Sequence, residues 1–136
     1  MRSSEVVCWL SLSFTSCHTA RAMNSYMKSG LSDKEFYHIE RAKKYLRTAR
    51  EGYELLQGNV FYGRDVEKIQ TLGKLSLAAG DYPNMIKTAK EIDELLTVLE
   101  KVERGEASKE EAKRVQDWFM NVGKGCLEKT NELLYA

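Results

Sequence analysis

The sequence is poor in the residues that usually identify a chemical function. Its 136 residues include one proline, three cysteines and two histidines. Three cysteines without a short paired spacing favour neither a disulfide framework nor a zinc site. Glu35 and His38 show the Glu-x-x-His spacing of di-iron bundles once, whereas such a site needs the motif twice. With no nucleophile–base constellation either, we expect no metal, no cofactor and no enzyme activity.

The sequence also lacks an excess of one charge and any long apolar run. It holds 21 basic and 20 acidic residues, for a net charge of +1. This balance gives no overall field that would attract nucleic acid or an anionic membrane. No apolar run approaches the roughly 20 residues that span a bilayer as a helix. With 43% hydrophobic and 30% charged residues, the chain is expected to fold around its own core.

The first 30 residues differ in pattern from the rest. Residues 6–14 are apolar apart from two serines, and Ala20-Arg21-Ala22 resembles a cleavage site just before Met23. Three interpretations stay open for residues 1–30. They are a secretory signal, a dispensable or disordered leader with Met23 as the true start, or an ordered accessory segment that covers an edge with Trp9, Leu12 and Phe14. We expect a cytoplasmic protein, or a secreted one if residues 1–22 are a signal.

Residues 31–136 form the predicted domain, because apolar residues recur there at helical spacing. The clearest example is 83–104, where Met85, Ala89, Ile92, Leu96 and Leu99 follow one another at intervals of three or four. The full set of predicted helices is 33–57, 65–79, 83–104 and 109–134. Since short connections make consecutive helices antiparallel neighbours, we predict an all-α, up-down-up-down four-helix bundle with a separate N-terminal leader.

Local signals mark the ends of these helices. Ser32 with Glu35, and Ser108 with Glu111, have the spacing of capping boxes, in which each side chain hydrogen-bonds the backbone of the other. Gly105 ends the third helix. Two glycines lie inside the fourth helix, on either side of Lys124, and predict a weak point or bend there.

Five basic residues lie outside the apolar line of the first predicted helix. They are Arg41, Lys43, Lys44, Arg47 and Arg50. One interpretation is a stripe that contacts the phosphates of a nucleic acid. The other is a solvated face, since opposite charges four residues apart, such as Arg50 and Glu54, compensate several of them.

Aromatic residues outside the predicted core lines are candidates for an interface. Phe61 and Tyr62 lie in the loosest connection, and Trp118 flanks the inner line of the fourth helix. The short helix 65–79 leaves apolar surface for the leader, for residues 58–64 or for a partner chain. We therefore expect a non-enzymatic interaction protein that binds a protein partner or forms a homo-oligomer. The alternative is a nucleic-acid-binding regulator; no small-molecule substrate is indicated.

Overall fold

The structure, a computed structural model, describes residues 2–58, 62–63 and 65–135. These residues contain no strand and form five helices: α1 (Arg2–Lys28), α2 (Asp33–Gly58), α3 (Asp65–Ala79), α4 (Met85–Glu103) and α5 (Lys109–Tyr135). The predicted all-α class is confirmed. The predicted arrangement, a four-helix bundle with a separate leader, is not confirmed.

The four predicted helices agree with α2 to α5 within two residues at each end. Both capping boxes are present. The backbone amide of Ser32 donates to Glu35 Oε1 at 2.8 Å, and that of Ser108 donates to Glu111 Oε1 at 2.9 Å. Gly105 follows α4 with φ +72°, a left-handed conformation that glycine adopts without steric cost. Local sequence therefore sets these boundaries.

The predicted leader is a helix with a buried side. Its inner line runs through residues at intervals of three and four: Trp9, Leu12, Ser16, Thr19 and Met23, each at most 4% exposed. Of the three residues proposed to cover an edge, Trp9 and Leu12 are buried, whereas Phe14 is 52% exposed. Because this inner line joins the same core cluster as the other helices, residues 2–28 are not a separate segment.

Helix α1 runs antiparallel to α5, and this is the most extensive helix pair of the described residues. Ser13 Oγ donates to the carbonyl of Gly123 at 3.4 Å. Gln116 Nε2 donates to the carbonyl of Ala20 at 3.4 Å. As the residue number rises on α1 it falls on α5, which fixes the register between the two helices.

The remaining helices complete a single core. Helix α2 contacts α1, α3 and α4, and α5 contacts α1, α3 and α4. The predicted weak point near Lys124 does not interrupt α5, which continues as one helix from Lys109 to Tyr135. Its glycines instead permit close packing. A Cβ at Gly125 would overlap the backbone of Ala78, and one at Gly123 would lie 3.0 Å from the Sγ of Cys17.

Candidate protein-interaction face

The predicted basic stripe on α2 is mostly neutralised by carboxylates. The Nζ of Lys43 is buried and lies 2.9 Å from Glu40 and 2.5 Å from Glu103. Burial lowers the pKa of Lys43, but hydrogen bonds from its ammonium to Glu103 and Glu40 outweigh burial and raise it. Lys43 therefore fixes α2 against α4 and offers no surface to a nucleic acid.

Two further residues of the stripe also face α4. Arg50 Nε lies 2.8 Å from Asp93, and Arg47 lies 3.9 Å from Glu100. Of the five residues of the stripe, only Arg41 and Lys44 have no ion pair with a described residue. They line a groove of about 530 Å³ between α2 and α3, together with Tyr37, Tyr45, Thr48, Glu67 and Thr71. The predicted contact surface is thus reduced to two cations beside two tyrosines.

Of the residues predicted for a protein interface, Trp118 and Tyr62 lie in different surroundings. Trp118 is 9% exposed and packs edge-on against Phe119 with ring centroids 5.0 Å apart. Tyr62 is 74% exposed, and Phe61 lies outside the described residues. Trp118 thus belongs to the core, and the ring of Tyr62 is exposed.

An apolar stripe that the sequence reasoning missed follows the solvent side of α1. Val7, Leu10 and Phe14 are 62%, 44% and 52% exposed. The spacing of three and four residues continues through three more exposed positions: Cys17, Arg21 and Asn24. Such spacing places all six on one side of the helix. The apolar run of residues 6–14 indicates this stripe, because some of its residues are buried in the core and others lie in the stripe.

Helix α5, which packs beside α1, also carries exposed apolar residues. Met120 and Leu127, seven residues apart, are 56% and 47% exposed. Between the helices lies a groove of about 470 Å³, lined mainly by apolar surface. Its lining residues are Cys17, Ala20, Arg21, Asn24, Gln116, Met120, Lys124 and Leu127. We call these residues, with Val7, Leu10 and Phe14, the outer face.

The charge of the outer face has one sign. Arg21 and Lys124 line the groove, and no carboxylate does. Neither cation has an ion pair with a described residue, whereas nine other basic residues do. Lys124 also lines a second groove toward α3, which contains Glu128 and Glu132. The outer face therefore combines apolar side chains with two positive charges that have no ion pair with a described residue.

The two histidines meet at the edge of the outer face. The ring of His18 stacks on that of His38 with centroids 4.2 Å apart, and Phe14 lies 4.2 Å from His18 on α1. His38 is buried, and its Nδ1 has no hydrogen-bond partner among the described residues. Burial and then the neighbouring positive charge of His18 lower the pKa of His38. The imidazole of His38 therefore favours its neutral form.

The three cysteines occupy different surroundings. Cys17 is exposed in the groove of the outer face, whereas Cys8 is exposed toward α3. Cys126 is buried, and burial raises the pKa of its thiol to about 12. No group of three or more His, Cys, Asp or Glu side chains among the described residues is placed to hold a metal.

Comparison of the chain with protein-family models, with curated proteins and with solved structures finds no match. Within the described residues, no helix combines the length and apolar character that crossing a membrane requires. The function therefore has to be argued from the surface of this chain.

Proposed function

We propose that the protein is a non-enzymatic helical interaction protein that binds a helix of a protein partner through its outer face. The observation that carries the proposal is the alignment of five exposed apolar side chains along two adjacent helices: Val7, Leu10, Phe14, Met120 and Leu127. Contiguous exposed apolar surface is uncommon on monomeric proteins and marks interaction sites.

The shape of this surface favours a helix as the occupant. The groove follows the line between two antiparallel helices, and its α5 side extends from Gln116 to Leu127. At 1.5 Å per residue this corresponds to about 16 Å, or about three helical turns. An amphipathic helix laid in such a groove presents residues three, four and seven positions apart.

A designed peptide tests the proposal without knowledge of the natural partner. The probe is a labelled helix of about 14 residues, long enough to span the groove, with a leucine stripe and only alanine and glutamine elsewhere. We expect saturable binding by fluorescence anisotropy. Leu127→Asp should weaken binding by about tenfold or more, because a carboxylate would be desolvated in the groove.

The control is Val66→Asp, which changes an exposed apolar residue on α3 (48% exposed) away from the outer face. It should leave binding unchanged. Absence of binding to the wild-type protein, or equal weakening by both variants, would contradict the proposal. Sedimentation velocity of the protein alone separates partner binding from self-association, since dimers formed through this face should dissociate in Leu127→Asp.

A nucleic-acid contact is the second candidate, favoured by the position of Arg41 and Lys44 beside Tyr37 in one groove. Basic side chains with aromatic neighbours suit single strands, because bases stack on the rings. A labelled oligothymidine, titrated at rising salt, tests it. Binding that weakens steeply with salt and is lost in Arg41→Gln/Lys44→Gln would support this function, and no binding at low salt would eliminate it.

A further inference from the structure

The charge of the outer face indicates what kind of helix it accepts. We propose that its partner is an amphipathic helix whose apolar stripe is flanked by acidic residues that pair with Arg21 and Lys124. This inference rests on the proposed function and adds the chemical identity of the partner.

The two cations are placed to form ion pairs with acidic residues on both flanks of such a helix. Arg21 belongs to α1 and Lys124 to α5, so they stand on opposite sides of the groove, whose apolar walls include Met120 and Leu127. Both side chains belong to exposed residues and have no ion pair with a described residue. A helix lying between them would bring one flank to each cation. Pairing with carboxylates then requires no existing ion pair to break.

A second copy of this chain is a poorer occupant. Two outer faces brought together would place four cations, two of Arg21 and two of Lys124, in one apolar interface. Because the groove lining contains no carboxylate, neither copy would bring an acidic groove residue to pair with them. Like charges held in contact at an interface oppose association, so the face selects a partner of different composition.

An anionic membrane offers the same negative charge but fits the shape less well. A bilayer presents a broad surface to a protein, whereas the apolar surface here descends between two helices into a groove that reaches Ala20, which is 5% exposed. A helix three turns long can enter such a groove and cover both walls. We therefore argue for a protein helix and use vesicles as an outcome of the test.

The experiment compares three labelled peptides with one leucine stripe and either glutamate, glutamine or lysine flanks. The glutamate peptide should bind about tenfold more tightly than the lysine peptide at low salt, because each exposed ion pair contributes a factor of about two to five. This preference should shrink at about 0.5 M salt, where the Debye length falls to about 4 Å.

Variants assign the preference to the two cations. Arg21→Gln/Lys124→Gln should bind the glutamate and lysine peptides within a factor of about two of each other and should retain the glutamine peptide. The matched control is Lys87→Gln/Lys90→Gln, which removes the same charge from two exposed lysines on α4. It should preserve most of the discrimination, because those lysines lie outside the groove.

The cysteines report where the peptide lies. N-ethylmaleimide labelling, read by mass spectrometry, should be slowed at Cys17 by the glutamate peptide and unchanged at Cys8, since Cys8 faces α3. Cys126 should stay unlabelled, because it is buried and its pKa is about 12. Protection of Cys8 instead of Cys17 would overturn the inference.

The outcomes separate the inference from the proposed function. If the glutamine peptide binds but glutamate flanks bring no gain over lysine flanks, the acidic partner is excluded and the interaction face stands. If no peptide binds, both the inference and the proposed function are contradicted. Flotation with vesicles of phosphatidylcholine and phosphatidylserine, lost in Arg21→Gln/Lys124→Gln and accompanied by no peptide preference, would assign the face to membranes and overturn the inference.

Discussion

The imidazole rings of His18 and His38 stack across the contact between α1 and α2, with centroids 4.2 Å apart and planes inclined by 15°. Burial lowers the pKa of His38, and positive charge on His18, Lys34 and Arg41 lowers it further, while Glu35 opposes the shift. The stack therefore favours a neutral His38, and protonation of both rings would place two positive charges in contact.

This stack predicts a loss of stability in mild acid. The folded pKa of His38 is below its unfolded value of about 6.5, so below that pH the unfolded state binds more protons and becomes favoured. The free energy of unfolding, from urea titrations, should fall as the pH is lowered through about 6.5 toward 5.5. The fall should be smaller in His18→Gln, where NMR titration should show a higher His38 pKa. An equal fall in both proteins would contradict the role of the stack.

The ion pair of Lys43 with Glu103 is expected to be the most sensitive charge contact between α2 and α4. The two side chains are 8% and 18% exposed, so Glu103→Gln leaves a buried ammonium short of its carboxylate. We expect destabilisation of about 1–3 kcal/mol by urea denaturation, less than the 3–5 kcal/mol seen for fully buried pairs because Glu40 remains.

The control for that pair lies one turn away along the same helix contact. Arg47 and Glu100 are 52% and 47% exposed and 3.9 Å apart. Glu100→Gln should cost less than about 0.5 kcal/mol, since exposed pairs contribute little. Similar losses in Glu100→Gln and Glu103→Gln would show that burial does not govern these contacts.

Two helical glycines should respond to alanine in opposite directions. A Cβ at Gly125 would overlap the backbone of Ala78, whereas nothing lies within 4 Å of one at Gly73. Gly73→Ala should stabilise the fold by about 0.5–1 kcal/mol through helix propensity. Gly125→Ala should destabilise it by about 1–3 kcal/mol, because the helices must separate. Thermal denaturation of both variants tests this, and stabilisation by Gly125→Ala would contradict the close approach of α3 and α5.

Alanine substitution of two nearby leucines on α1 should affect stability differently, because one lies in the core and the other at the surface. Leu12 is 3% exposed, and Leu10 is 44% exposed. Leu12→Ala should destabilise the protein by about 2–5 kcal/mol, while Leu10→Ala should cost less than about 0.5 kcal/mol and weaken peptide binding. A chain that begins at Met23 lacks both and should lose cooperative unfolding. Equal stability of the two alanine variants would place α1 outside the core.

Sequence periodicity was sufficient for α2 to α5 because their inner lines are aliphatic. Ile39, Leu46, Ile92 and Leu99 are fully buried, and residues of this type carry the period that identifies an amphipathic helix. The capping boxes then set where α2 and α5 begin. Local chemistry and burial agree in these segments, so the sequence alone located them.

Helix α1 is less evident from the sequence because its inner line mixes apolar and hydroxyl residues. Ser16 and Thr19 are fully buried between Leu12 and Met23, and small residues suit a face that packs close to Gly123. A hydrophobic pattern predicts that such hydroxyl residues lie at the surface. The outer face is hidden for a related reason, since Val7, Leu10 and Phe14 belong to the same apolar run as the core residues Trp9 and Leu12.

The pairing of α1 with α5 also has a consequence for how the chain acquires its structure. Ser13 and Gly123 are 110 positions apart, so α1 is synthesised well before the helix on which it docks. Until then α1 lacks its most extensive helix contact, and joining such distant segments slows folding. Chaperone binding to nascent chains should therefore persist until synthesis has passed α5.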